Sequence, residues 1–157
     1  DVLHIRGRAV VSAQNGADTH QVKVYVGSTA IADSAARALA ATQYVIFDLY
    51  LTVRTVGASG TYVVSGVIET NPAGVVTLVP VSLASTAVDT TVAQVISVKS
   101  TASAASAGNV IALQEYAIDQ QRATGEAILA YSFEAIDNSL GTGTGPAAAA
   151  FIRSLVA

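Results

Sequence analysis

Two histidines are the first residues whose chemistry could organise a site. They are His4 and His20, and the chain contains no cysteine that could complete a zinc-binding set. Structural zinc sites use four protein ligands and catalytic sites use three, drawn mainly from cysteine and histidine. The pattern therefore favours surface or partly buried strand histidines over a metal site. No metal ion and no other cofactor is predicted.

Three short motifs resemble parts of catalytic sites. Gly57-Ala-Ser-Gly60 is one residue shorter than a Gly-x-Ser-x-Gly nucleophile elbow, and Asp89-Thr-Thr lacks the glycine of an aspartic-protease loop. Gly141-Thr-Gly-Thr-Gly145 has no lysine after it to hold a phosphate. We interpret the three motifs as a hairpin turn, the polar start of a strand and a loop. The chain is therefore predicted not to be an enzyme.

Tyrosine is the most frequent aromatic residue, with six copies against three phenylalanines and no tryptophan. Tyr25, Tyr44 and Tyr50 fall on the outer faces of predicted strands, and Tyr62 is expected to join them. Exposed aromatic rings pair across strands, form subunit interfaces or stack on sugars. The sequence leaves these three roles open. Tyr25, Tyr44 and Tyr50 are predicted to be interaction residues.

Charged residues are scarce in this chain. They make up 12% of it, about half the ~25% of typical globular domains, and only two of them are lysines, Lys23 and Lys99. The net charge of -3 and the shortage of lysine argue against a nucleic-acid-binding face. Asp48 and Arg54 share one face of a predicted strand, which fits a cross-strand ion pair or a subunit contact. Such an uncharged surface suits a subunit packed among many copies.

The apolar residues give no sign of a membrane-spanning helix. They make up 52% of the chain, but no run approaches the ~18–20 apolar residues that such a helix needs. No membrane partner is predicted. The length of 157 residues fits one compact domain with a substantial core.

Apolar and polar residues alternate with a period of two, which predicts strands. In the clearest strand, Tyr44–Val56, every second side chain from Val45 to Val53 is apolar. Asp33–Ala41 is rich in alanine and is open to a helix, a loop or an extended segment. The other predicted strands are Leu3–Val11, His20–Val26, a short one near Ile31, Thr61–Glu69, Val75–Val79, Thr91–Lys99, Asn109–Ile118, Glu126–Glu134 and Ala150–Val156. Because helical crossovers are missing, we predict an all-β antiparallel sandwich, jelly-roll-like, with about eight to ten strands.

The C-terminal segment is predicted to be separate from the sandwich. We expect the sandwich domain at residues 1–118 and a C-terminal arm of strands at 119–157. Phe151, Ile152 and Leu155 are apolar on both faces of one short predicted strand. A strand added to a neighbouring subunit's sheet would find apolar cover on both sides. These three residues are therefore predicted to contact another subunit.

Four motifs in sequence order resemble small structural proteins of tailed-bacteriophage virions. They are the Arg-Gly-Arg of Leu3–Arg8, the Arg-Thr-Val-Gly-Ala-Ser-Gly-Thr hairpin within Tyr50–Thr61, Val88-Asp-Thr-Thr-Val-Ala-Gln94, and the Ser/Ala-rich turn within Ser97–Asn109. The resemblance covers about residues 3–118. It implies a β-sandwich or jelly-roll component of the virion, assembled in the cytoplasm of a bacterial host.

Within such a virion, the leading expectation is a capsid decoration (cement) protein that binds and stabilises the head shell. Its partners would be further copies of itself, most simply as a homotrimer, and the major capsid protein or another virion protein. Two other virion roles stay open: a tail-fibre or tip module that binds glycans, and a shell or tube subunit. A bacterial surface-layer or adhesin subunit is a more remote alternative.

Overall fold

The computed structural model describes residues 1–14, 16–104 and 108–121, with short segments at 130–131, 137–139 and 150–152. The described residues form strands and one 3-10 turn at Pro72–Gly74. The eight main strands are β1 (Val2–Ala13), β2 (His20–Val26), β3 (Thr29–Asp33), β4 (Tyr44–Thr55), β5 (Gly60–Thr70), β6 (Thr77–Val88), β7 (Gln94–Ala102) and β8 (Val110–Gln121). Three short strands follow as β9 (Ala130–Tyr131), β10 (Asp137–Ser139) and β11 (Ala150–Ile152).

The main strands form two antiparallel sheets around one core. The large sheet has the order β6-β5-β4-β1-β8, and the small sheet has the order β7-β2-β3. β1 pairs with β8 in one sheet and β2 pairs with β7 in the other, as the two halves of a jelly roll do. β4, β5 and β6 instead continue side by side as a meander. The predicted all-β antiparallel sandwich is confirmed.

The hydrophobic core lies between the two sheets, and the inner rows predicted from alternation supply it. Ile5, Phe47 and Leu49 of the large sheet are 0% exposed, and Val24 and Ile96 face them from the small sheet at 0% and 1%. Each such side chain contributes about 1.5–3 kcal/mol when it leaves water. Since the chain has no cysteine, this burial and the backbone hydrogen bonds stabilise the fold.

The alanine-rich segment Asp33–Ala41 does not form a helix. Ala35 has a φ of 57°, outside the right-handed helical region. The backbone of Arg37 pairs with that of His20 at the start of β2, and Leu39 is 0% exposed in the core. The burial of Leu39 and the pairing with β2 outweigh the helix propensity of alanine.

β6 is longer than the sequence predicts, since it runs over Thr77–Val88 rather than Val75–Val79. Pro80 and the small serine, threonine and alanine side chains after it gave no alternating pattern from which a strand could be predicted. Proline is tolerated here because β6 is the edge strand of the large sheet. Further along, Ala84 and Ser85 face a single residue of β5 and form a β-bulge.

The strands beyond the main sandwich pair with the same chain. β8 extends to Gln121, past the expected division at residue 118. β9 pairs with β8, while β10 and β11 both pair with β7. The backbone of Phe151 and Ile152 therefore lies against β7, and Leu155 lies outside the described residues. Contact of this segment with another subunit stays a prediction.

The glycine of the Arg-Gly-Arg motif makes room for a core ring. A Cβ built at Gly7 would lie 2.4 Å from Cζ of Phe47 and 2.8 Å from the carbonyl oxygen of Glu115. Phe47 is 0% exposed, and its ring also packs on that of Tyr116, with centroids 6.1 Å apart. Gly7 thus lets β1 pass close over Phe47.

Gly7→Ala should destabilise the protein by about 1–3 kcal/mol, because the added methyl overpacks the core beside Phe47. Urea unfolding would measure the loss. In a Phe47→Leu background the same substitution should destabilise the protein less, because the shorter side chain vacates the contested space. Equal losses in the two backgrounds would contradict the Gly7–Phe47 contact as the cause.

Candidate functional site

The outer face of the large sheet gathers charged side chains from four strands. They are His4, Arg6 and Arg8 on β1, Asp48 on β4, Glu69 on β5, and Glu115 and Asp119 on β8. β1 lies between β4 and β8, so its basic side chains have Asp48 on one side and Glu115 and Asp119 on the other. The register places His4 opposite both Tyr50 and Asp119, and Arg6 opposite Asp48.

A hydrogen bond between His4 and Asp48 and an ion pair between Arg6 and Asp119 join β1 to its neighbours. His4 Nε2 lies 2.8 Å from Asp48 Oδ1, and Arg6 Nη2 lies 3.3 Å from Asp119 Oδ2. The Arg6 and Asp48 side chains are 53% and 46% exposed, so each pair contributes only about 0–1 kcal/mol. The pairs therefore orient side chains more than they stabilise the fold. The cross-strand pairing considered for Asp48 is found with His4, while Arg54 is exposed near the end of β4.

Tyr50 is the most exposed ring on this face. It is 40% exposed and stacks on His4, with ring centroids 4.4 Å apart and planes 6° from parallel. Asp48 holds the same imidazole from the neighbouring position on β4. The three side chains form one fixed cluster, which we call the His4–Asp48–Tyr50 cluster.

The other two predicted tyrosines also have partners within the chain. The Tyr44 hydroxyl donates to Glu69 Oε1 at 2.7 Å, and this bond raises the pKa of the phenol. Arg8 lies over the Tyr44 ring, with Cζ 5.3 Å from the centroid. Tyr25 lies on the outer face of the small sheet beneath Lys99, whose Nζ is 4.9 Å from the ring centroid.

The three predicted interaction tyrosines therefore do not form a single patch. Tyr25 lies on the opposite side of the sandwich from Tyr44 and Tyr50. Tyr44 and Tyr50 are six residues apart on β4, roughly 20 Å at the rise of a strand. Pairing across strands, one of the three roles considered, is present at every one of them. Their roles toward a partner stay predictions.

The expectation that Tyr62 joins the outer tyrosines is wrong. Tyr62 is 1% exposed and shares the inner face of β5 with Val64 and Ile68. Burial raises the pKa of its phenol. The alternation of β5 carried this information, because Tyr62, Val64 and Ile68 occupy positions of the same parity. All three residues lie on β5, after the β4–β5 turn.

Two of the catalytic-looking motifs meet at one corner of the sandwich. Thr90 Oγ1 accepts a hydrogen bond from the Gly57 backbone N–H at 2.7 Å, and the Thr90 N–H donates to the Gly57 carbonyl at 3.1 Å. Asp89 accepts bonds from the N–H and the hydroxyl of Thr91, which hold the pKa of its carboxyl below the usual value. These hydrogen bonds join the β4–β5 hairpin to the turn that precedes β7.

The two histidines do not converge on a shared site. His4 lies on the outer face of the large sheet, while His20 is 1% exposed at the start of β2 in the small sheet. Burial lowers the pKa of His20, and the charge of Asp18 opposes that shift. Within the part of the chain that the structure describes, no group of three or more His, Asp or Glu residues is placed to hold a metal ion.

Strand β6 is the feature that residue-by-residue reasoning missed. None of its twelve residues is buried, although it carries leucines and valines. Leu78 is 61% exposed, and Val75 and Val76 just before the strand are 65% and 56% exposed. The signal in the sequence was the absence of any charged residue from Thr77 to Val88.

Leu78 faces outward opposite Glu69, whereas the incomplete burial of the inner row of β6, Val79, Val81 and Leu83, follows from the unequal size of the sheets. The large sheet has five main strands and the small sheet has three, and β3 ends the small sheet on the side of β6. A groove of about 240 Å³ lies between β3 and β6. Ile31 of β3 and the half-buried Val79, Val81 and Leu83 of β6 line its apolar walls.

Comparison of the chain with protein-family models, with curated proteins and with solved structures gives no match. No helix among the described residues is long and apolar enough to cross a membrane.

Thr90→Val should lower the free energy of unfolding by about 1–3 kcal/mol, because it removes the hydroxyl that accepts the hydrogen bond of the Gly57 N–H. Chemical denaturation followed by circular dichroism would measure it. Thr101→Val is the matched control, since Thr101 is exposed on β7, and should change stability by no more than ~0.5 kcal/mol. Similar small effects of both substitutions would contradict the locking role of Thr90.

Stability should fall as the pH drops below 6.5, the ordinary pKa of histidine, because the folded state resists protonation of buried His20. The contribution of His20 is complete above that pH and is lost as the pH falls through its lowered folded pKa. Thermal melts across this range should show a steeper loss for the native chain than for His20→Gln. Parallel curves for the two proteins would contradict the assignment.

Proposed function

We propose that this protein is a structural component of a bacteriophage virion, of the capsid decoration type, that works by binding the head shell and further copies of itself. The order of four motifs along residues 3–118 supports the virion assignment. The exposed, uncharged strand β6 supports a role in assembly. The proposal assigns the chain no catalytic step.

The uncovered state of β6 is the observation that carries the assembly role. A strand in a two-layer sandwich normally buries one face, yet every residue of β6 is at least partly exposed. Leu78, Val75 and Val76 add an apolar patch at the same end of the strand. Contiguous exposed apolar surface of this kind is typical of interaction sites. A neighbouring subunit placed over β6 would complete the burial that the small sheet leaves undone.

The composition of this surface suits repeated association. Serine, threonine and alanine side chains require less desolvation than paired charges, so little is lost when two such faces meet. The charges of the large sheet lie over β1, β4, β5 and β8, and four of these side chains already pair as His4–Asp48 and Arg6–Asp119. Closed oligomers cover such a face on every copy, and we propose a homotrimer. Many copies on a shell would gain further from avidity.

A receptor-binding role in a tail fibre or tip is the second candidate. The exposed Tyr50 ring in the His4–Asp48–Tyr50 cluster favours it, because exposed aromatic rings are common anchors for ligands. The two roles centre on different residues, since Tyr50 lies on β4 and Leu78 lies near the start of β6. Immunogold labelling of virions that carry this chain would separate them: labelled heads support decoration, and labelled tail tips support receptor binding.

Leu78→Lys should convert the oligomer to monomer, because burying an ammonium group at the contact removes its hydration, which a pair with Glu69, its direct partner on β5, does not fully replace. Light scattering at micromolar concentration would show the native chain at the mass of three copies and the variant at the mass of one. Val110→Lys is the matched control, since Val110 is 37% exposed on β8 at the opposite side of the large sheet. A monomeric native chain, or equal dissociation of both variants, would contradict the proposal.

A further inference from the structure

The stack of His4 on Tyr50 leaves one face of the tyrosine ring directed at the next strand. His4 and Tyr50 are direct partners across β1 and β4, and their rings are nearly parallel. The stacking axis therefore runs across the strands. On the other side of Tyr50, its direct partner on β5 is Ser65. The second face of the ring thus points over an exposed serine.

Small side chains continue beyond Ser65. Its partner on β6 is Ser82, which is also exposed. Val63 and Val67, on either side of Ser65 on the same face of β5, are only partly exposed. The outer face of the large sheet therefore has a shallow trough with Tyr50 as its wall and Ser65 and Ser82 as its floor. We call this the Tyr50 trough.

The polar groups beside the trough can accept and donate hydrogen bonds. Asp48 is two residues from Tyr50 on the same face of β4, and its side chain is 46% exposed. His4 contacts one carboxylate oxygen of Asp48, and a carboxylate offers about four acceptor positions in all. The hydroxyls of Thr52 and Ser65 lie on the same face. An apolar wall beside several hydroxyl and carboxylate groups is suited to a ligand with a flat apolar face and polar edges.

We propose that the Tyr50 trough binds a neutral pyranose ring of a saccharide. The polarised C–H bonds on one face of such a ring meet the negative π-face of Tyr50, and its hydroxyls reach Asp48 and Ser65. His4 and Asp48 hold the tyrosine ring in place before the ligand arrives, which reduces the entropy lost on binding. These two are positioning residues, whereas Tyr50 touches the sugar.

The charge of this face selects a neutral sugar over an anionic ligand. Asp48, Glu69, Glu115 and Asp119 lie on the outer face of the large sheet, against three arginines, Arg6, Arg8 and the exposed Arg54 near the end of β4. Arg6 and Arg8 lie on β1, on the far side of β4 from the trough, and Arg6 is already paired with Asp119. Asp48 is two residues from Tyr50 and Arg54 is four, so the carboxylate is the nearer charge. A uronate, a sialic acid or a phosphate would be repelled by the carboxylates. This proposal does not rest on the virion role, because it needs only the monomer.

Saturation-transfer NMR on the full chain, with glucose, galactose and N-acetylglucosamine as separate probes, would test the proposal. At least one neutral sugar should receive saturation on the protons of one ring face. Glucuronate should bind more weakly than glucose at low salt, because Asp48 repels it. Absence of transfer to all three neutral sugars, or preferred binding of glucuronate, would overturn the proposal.

Variants locate the site. Tyr50→Ala should weaken binding by about tenfold or more, and Tyr50→Phe should retain it, because the ring rather than the hydroxyl makes the contact. Ser65→Leu, at an exposed position, should abolish binding by filling the trough while Tyr50 stays in place. Tyr25→Ala, on the outer face of the other sheet, is the matched control and should bind as the native chain does. Binding that survives Ser65→Leu, or that is lost equally in Tyr25→Ala, would refute the Tyr50 trough as the site.

Discussion

The register of β1 between β4 and β8 is the constraint on which the rest of the structure depends. It sends Leu3, Ile5 and Val11 into the core, and by the same alternation it sends His4 and Arg6 to the outer face. Because side chains alternate with a period of two, a slip by one residue would bury the charges and expose the core. Core packing energy therefore fixes the geometry of the charged rows. The weak contacts between surface charges do not have to determine which strands pair or in which register.

The sequence predicted those features that depend on neighbours along the chain. Alternation identified the inner row of β4 and most strand positions, and the shortage of charge indicated an exposed surface of unusual composition. It did not identify the partners of Tyr50 or Thr90, because strand register and corner contacts join residues far apart in sequence. His4 meets Tyr50 only because β1 lies beside β4. The sequence did not decide between helix, loop and extended structure for Asp33–Ala41 for the same reason. The conformation of this segment depends on the packing of Leu39 in the core, which local helix propensity does not report.

The motifs behind the virion resemblance have structural explanations within this chain. Gly7 lets β1 cross Phe47, and Gly57 donates a hydrogen bond to Thr90 Oγ1 and accepts one from the Thr90 N–H. These positions are set by close backbone approach and turn geometry. The glycines of these motifs therefore have a structural role in the sandwich, whereas His4 and Tyr50 of the same motif ranges belong to the proposed saccharide site.

Pro80 and the bulge at Ala84 and Ser85 have a consequence for how copies of this chain can associate. An exposed edge strand is a template on which further strands add without limit, as in amyloid. Proline removes a backbone donor from β6, and the bulge breaks the regular spacing of the remaining ones. Edge-to-edge growth of a continuous sheet is therefore blocked in the middle of the strand. The side chains of β6 can still contact a neighbouring copy. The chain can therefore keep an uncharged interaction surface without promoting fibre formation through its backbone.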